Sequence, residues 1–128
     1  MIKNRPLDHI GLACGNADEN IKWYEETLGF ETVGKFMHNG RYVYFIESHG
    51  TVYEVYTDEN LPADAKGKID HISFISNDIE ADYDYCLKQG YTVCTDGIEG
   101  IEAFWEKGVR FFKILSPMGE QVEFCQKL

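Results

Sequence analysis

The chain has 128 residues, of which 44% are hydrophobic and 27% charged. That is enough for a domain with its own core, and the composition excludes a disordered or fibrous protein. Asp and Glu outnumber Lys and Arg 22 to 12, a formal net charge of −10, which argues against a nucleic-acid binder and against docking on an anionic membrane.

No stretch approaches the roughly 18 apolar residues of a membrane-spanning helix. Met1-Ile2-Lys3-Asn4-Arg5-Pro6 has no apolar run behind it and does not read as a signal peptide. The four cysteines, Cys14, Cys86, Cys94 and Cys125, form no C-x-x-C pair and read as small, partly buried thiols rather than a disulfide framework. The expectation is a soluble cytoplasmic domain whose partner is a small molecule.

Taken in chain order, the elements repeat. Leu7-Asp8-His9-Ile10-Gly11-Leu12 and Ile69-Asp70-His71-Ile72-Ser73-Phe74 both read aliphatic-Asp-His-Ile-small-apolar. A helix follows each: Asn20 to Leu28, with Ile21, Tyr24 and Leu28 at helical spacing, and Glu80 to Gln89, with Tyr83, Cys86 and Leu87 on one side. Gly29 and Gly90 end them, and Asp18 and Asp78 fit their caps. Next come the extended pieces Phe30–Val33 and Tyr91–Cys94. The first half then has a strand from Arg41 to Ile46, a turn at Ser48-His49-Gly50 and a strand from Thr51 to Tyr56. The second half matches it with Val109 to Leu115, a turn at Ser116-Pro117-Met118-Gly119 and Gln121 to Cys125. Asn39-Gly40 suggests a tight hairpin.

Each half therefore reads β-α-β-β-β, an α+β class. Module one spans about residues 5–57, a polar linker 58–68, and module two about 69–126, all within a single domain of residues 1–128.

Side chains alternate across a strand. His9, Gly11 and Ala13 share a face opposite Ile10 and Leu12, and His71 and Ser73 share a face opposite Ile72 and Phe74. Val52, Glu54 and Tyr56 share a face, as do Gln121, Glu123 and Cys125. The helices cover the apolar faces, so the His and Glu side chains take the other side of each sheet. A carboxylate in a strand centre is costly to bury alone. Two carboxylates and two imidazoles in repeated positions suggest compensation by a divalent metal, and suit a borderline or hard ion with open positions for substrate.

Other polar residues take blander readings. His38 and His49 lie in turns and read as solvated, while Asp8, Glu47, Asp70 and Glu120 face solvent or cap neighbours. The run Asp78, Glu80, Asp82, Asp84 reads as a solvated helix face. Trp23, Tyr24, Tyr83 and Tyr85 read as core and surface packing. No Ser-His-Asp arrangement, phosphate loop or nucleotide fingerprint is visible.

The chain resembles the vicinal oxygen chelate superfamily of glyoxalase I, bleomycin-resistance proteins and extradiol dioxygenases. The residues that carry this are Leu7-Asp8-His9-Ile10, Trp23-Tyr24, Leu28-Gly29-Phe30, Tyr53-Glu54-Val55, Ile69-Asp70-His71-Ile72, and Ser116-Pro117-Met118-Gly119 with Val122-Glu123-Phe124. The resemblance implies two βαβββ modules curling as a cup-like mixed sheet around one metal, with helices outside. It implies His9, Glu54, His71 and Glu123 as metal ligands, and a divalent ion among nickel, zinc, cobalt, manganese and iron. Glu at position 54 is similar to glyoxalase I; methylmalonyl-CoA epimerases tend to carry Gln there.

The implied activity is that of a metal-dependent lyase or isomerase like lactoylglutathione lyase. It would act on a hydroxy-carbonyl or thiol hemithioacetal substrate through an enediolate. Glu123 is the implied base, with Glu54 equally placed by the repeat. An extradiol-type dioxygenase and a non-catalytic resistance-type binding protein are the alternatives. Superfamily resemblance also implies a homodimer. Glutathione-dependent glyoxalases place an Arg shortly after the first His, where this chain has Gly11-Leu12-Ala13-Cys14; Arg5, Arg41, Lys107 and Arg110 are the remaining candidates for an anion clamp.

Overall fold

Chain segments rich in β-branched and aromatic residues, broken by glycine turns, set the secondary structure. The computed structural model describes residues 2–62, 68–117 and 119–128. Contacts divide the chain into two compact units: His9–Asp70, and the residues up to Asp8 together with His71–Leu128.

The first unit carries β1 (Leu7–Cys14), α1 (Ala17–Leu28), β2 (Glu31–His38), β3 (Arg41–Ser48) and β4 (Thr51–Thr57). Its strand order is β2-β3-β4-β1. Strand β1 runs parallel to β4, while β3 is antiparallel to both β2 and β4, so the sheet is mixed. Helix α1 starts at Ala17, earlier than the expected Asn20, because Asn16 is the cap. Its backbone is extended and its side chain accepts from the Glu19 N–H at 3.2 Å. The cap expected at Asp18 is corrected accordingly: that carboxylate sits in the first turn and accepts from the Tyr44 hydroxyl at 2.5 Å. Ala17 and Ile21 pack on Cys14, Ile46 and Val55, with Leu12, Tyr24, Phe30, Tyr44 and Tyr53 around them. The hairpin at Asn39-Gly40 has φ of 51° and 76° at its two central residues, the left-handed values a two-residue turn of this kind requires.

The second unit carries β5 (Lys68–Ile75), α2 (Ile79–Lys88), β6 (Glu99–Ile101), β7 (Val109–Leu115) and β8 (Gln121–Lys127). Its order is β5-β8-β7-β6, with β5 parallel to β8 and the other neighbours antiparallel. Each unit is thus βαβββ with a mixed sheet, the α+β class expected. Asp78 caps α2 by accepting from the Ala81 N–H at 3.0 Å. Ile79 and Cys86 join Phe112, Ile114 and Phe124 in the core. Leu87 is exposed, contrary to its expected place on the apolar side; the buried stripe runs Ile79, Asp82, Cys86.

Two further expectations are corrected here. Tyr91–Cys94 is not a strand: only Val93 bridges to Ile114. The chain leaves β7 there, turns through Gly97 at φ 63°, and returns as β6 against Val109–Phe111. The partner of β7 is thereby split in two. The run on α2 is not wholly solvated, because Asp82 is buried.

Of the expected linker, residues 63–67 lie outside the described residues, as does Met118 of the turn expected at Ser116-Pro117-Met118-Gly119. All four cysteines are free, with Cys14, Cys86 and Cys125 buried and Cys94 exposed. Among the described residues, no helix is long and apolar enough to cross a membrane.

Candidate metal centre

In the first unit, His9 comes from β1 and Glu54 from its parallel neighbour β4. Gly11 pairs with Glu54, and Glu54 pairs in turn with Phe45 of β3. Paired residues share a face, so Gly11, Glu54 and Phe45 form one row across the sheet. That row lies opposite the Leu12, Val55 and Tyr44 side that packs on α1. His9 and Glu54 are both buried, with His9 Nε2 3.7 Å from Glu54 Oε1. Phe45 walls the pair, its ring edge-on to His9 at 5.5 Å.

Tyr56 stands two residues after Glu54 on the same face. Burial, then the Asp70 carboxylate to which it donates, push its phenol well above the usual range, so it stays protonated. Asp70 is therefore a partly buried acceptor rather than a solvated residue.

The second unit repeats the pair. His71 comes from β5 and Glu123 from β8, both buried, with His71 Nε2 3.7 Å from Glu123 Oε2. The row across this sheet is Ser73, Glu123, Lys113. Lys113 Nζ lies 4.0 Å from the same Glu123 Oε2. Ser73 is fully buried, and its hydroxyl has no hydrogen-bond partner among the described residues.

The structure thus brings each sequence-derived histidine to its own module's glutamate. A separation of 3.7 Å is longer than a hydrogen bond. It leaves the imidazole nitrogen and the carboxylate oxygen side by side, as two donors to one ion stand. A pair of this kind is chemically suited to a divalent first-row ion.

The other polar candidates have structural partners. Glu47 accepts from the Gly50 N–H at 3.2 Å, Glu120 accepts from the Ser116 hydroxyl, and Asp8 pairs with Lys127 at 3.6 Å. His49 is exposed at its turn, while His38 is half-buried beside Asn39. Three of the four expected anion clamps are engaged elsewhere: Arg5 with Asp82, Arg41 with Glu59 and Arg110 with Glu80. Lys113 was not among those candidates. Counting residues back from the turn at 116–119 places it opposite Glu123, and that register was the signal available.

The family model for the glyoxalase/bleomycin resistance protein/dioxygenase superfamily matches residues 6–124. The chain belongs to this superfamily. The superfamily takes in glyoxalases, epimerases and dioxygenases; its members are mostly enzymes acting on small molecules and typically bind a divalent metal. The uncharacterized protein YwbC of Bacillus subtilis (strain 168) is 29% identical over 126 residues, covering 94% of this chain and 97% of that protein.

Two solved structures of similar fold are a hypothetical protein from Bacillus halodurans C-125 and methylmalonyl-CoA epimerase from Mycobacterium tuberculosis. The first has a TM-score of 0.78 at 22% identity, covering 98% of this chain and 96% of that one. The second has a TM-score of 0.78 at 19% identity, covering 100% of this chain and 93% of that one. At these identities the likeness is one of fold.

Proposed function

We propose that this chain is a metal-dependent lyase or isomerase of the glyoxalase I type, acting on a small hydroxy-carbonyl compound or a thiol hemithioacetal. The observation that carries the reading is the buried His–Glu pair at 3.7 Å, present once in each module. His9, Glu54, His71 and Glu123 are the proposed ligands of one divalent cation. Their chemistry fits: two imidazoles and two carboxylates, each carboxylate otherwise costly in a strand interior.

When bound, such a cation polarises a substrate carbonyl and stabilises negative charge on two neighbouring oxygens as the adjacent carbon loses a proton. A glutamate takes that proton and returns it to the neighbouring carbon. Resemblance to glyoxalase I supports Glu123 in this role, and the repeat gives Glu54 the same relation to its histidine. Phe45, edge-on to His9, keeps the first pair dry. We expect a homodimer, read by light scattering.

The test is metal analysis of the purified protein, followed by an assay with methylglyoxal and a panel of thiols. Bound divalent metal and thiol-dependent turnover are the expected result. No bound metal, and no gain from nickel, zinc, cobalt, manganese or iron, would overturn the reading. Glu54→Gln should abolish turnover; an oxygenase needing two His and one carboxylate would survive it.

A further inference from the structure

The two modules differ at the same place in their repeated rows. Beside Glu54 stand Gly11 and Phe45; beside Glu123 stand Ser73 and Lys113. One glutamate is flanked by a hydrogen atom and an apolar ring, the other by a hydroxyl and an ammonium. Neighbouring strands lie about 4.8 Å apart, so Ser73 and Lys113 stand on opposite sides of Glu123 on one face. The Ser73 hydroxyl is fully buried and without a partner among the described residues. The Lys113 side chain is only 16% exposed, and its ammonium is 4.0 Å from Glu123 Oε2.

The main chain of Lys113 is held by the segment after α2. Its N–H donates to Thr95 Oγ1 at 3.1 Å, and its carbonyl accepts from the Cys94 N–H at 2.9 Å. The broken strand after α2 thus fixes this end of β7, where it also bridges Ile114 through Val93 and accepts from the Leu115 N–H at the Thr92 carbonyl at 3.0 Å.

A partly buried ammonium needs a nearby negative charge. Glu123 supplies one. On the proposed reading, that same carboxylate is shared between a divalent cation and the Lys113 ammonium. We infer that Lys113, with the Ser73 hydroxyl, makes module two the anion-recognising side of the site. The substrate would then bear a carboxylate on the skeleton that carries its two coordinating oxygens. This rests on the proposed metal site and narrows its substrate class.

The test uses the metal-loaded full chain and two bidentate probes, acetohydroxamate and the carboxylate-bearing succinohydroxamate, titrated by calorimetry. The wild type should bind the carboxylate probe about tenfold more tightly, as one partly desolvated charge pair allows. Lys113→Met should erase that preference while keeping metal content and acetohydroxamate affinity. Lys113→Arg should restore it, and Ser73→Ala should reduce it by about threefold. Equal affinity of the wild type for both probes, or an undiminished preference in Lys113→Met, overturns the inference and leaves the metal reading standing. A wild type that takes up no metal overturns both.

Discussion

Arg5 grips Asp82 through both terminal guanidinium nitrogens, at 2.7 Å and 2.6 Å. Asp82 is buried in α2 and also accepts from the Ser76 hydroxyl at 2.6 Å, while Arg5 donates to the Ile75 carbonyl at 3.2 Å. Beside it, the Ile75 N–H donates to the Pro6 carbonyl at 2.9 Å. The start of the chain is thus tied to α2 of the second module by a two-pronged charge pair. Removing one partner of such a pair leaves the other without its counter-charge. Asp82→Ala should destabilise the protein by about 3 kcal/mol, the lower end for buried pairs because Arg5 retains some solvent. Arg5→Met combined with Asp82→Leu should recover most of the loss. Chemical denaturation midpoints decide it, and a loss below about 1 kcal/mol would place the pair with ordinary surface ion pairs.

His71 is buried, yet the module core is built from Ile79, Cys86, Phe112, Ile114 and Phe124 on the other face of the sheet. His71→Ala should therefore keep the fold and weaken metal binding by at least roughly 100-fold, since even the partners that orient metal ligands cost 10–100-fold. Circular dichroism and metal stoichiometry measured on one preparation separate these effects. Unfolding of the variant would assign His71 a structural role instead.

The Tyr44 hydroxyl donates to Asp18 Oδ1 at 2.5 Å. Burial, then this carboxylate, push the phenol up from 10.0 to about 12. A pKa raised in the folded state means stability that is complete below the unfolded value and lost as pH rises through the folded one. The Tyr44 contribution should therefore be whole below about pH 10 and vanish by about pH 12. Tyr44→Phe should be less stable at neutral pH and converge on the wild type across that window. Parallel decline of the two proteins with pH would show that the bond contributes nothing.

The cysteines should react in a set order. Cys94 is exposed, whereas Cys14, Cys86 and Cys125 are buried. Burial, and then the Asp82 carboxylate, push the Cys86 thiol up to about 11, and burial raises Cys14 as well. Iodoacetamide at neutral pH should label Cys94 alone in the native protein and all four in denaturant, as read by peptide mass spectrometry. Native labelling of Cys86 at the rate of Cys94 would contradict this arrangement.

The repeat was legible because its cues are local. The Asp-His-Ile pattern, the glycines after each helix and the turn residues at 39–40 and 49–50 act within a few neighbours of themselves. Helix starts were less legible, because Asn16 caps α1 only if its own backbone is extended, and Asp18 carries an equally good side chain. The break between Val93 and Glu99 was hidden because an extended sequence does not state which part of its length finds a partner edge.

Alternation along each strand determined, from sequence alone, that His9 and His71 point away from their helices and that Glu54 and Glu123 do the same. It could not decide what stands beside them, since a strand's neighbours are set by sheet order and register. Tertiary structure alone put Gly11 next to Glu54 and Ser73 next to Glu123, and turned Asp82 from a presumed solvated acid into a buried partner of Arg5. Charges that share a face across strands, or across 77 residues of chain as Arg5 and Asp82 do, meet only when hydrogen-bonded register and packing bring them together.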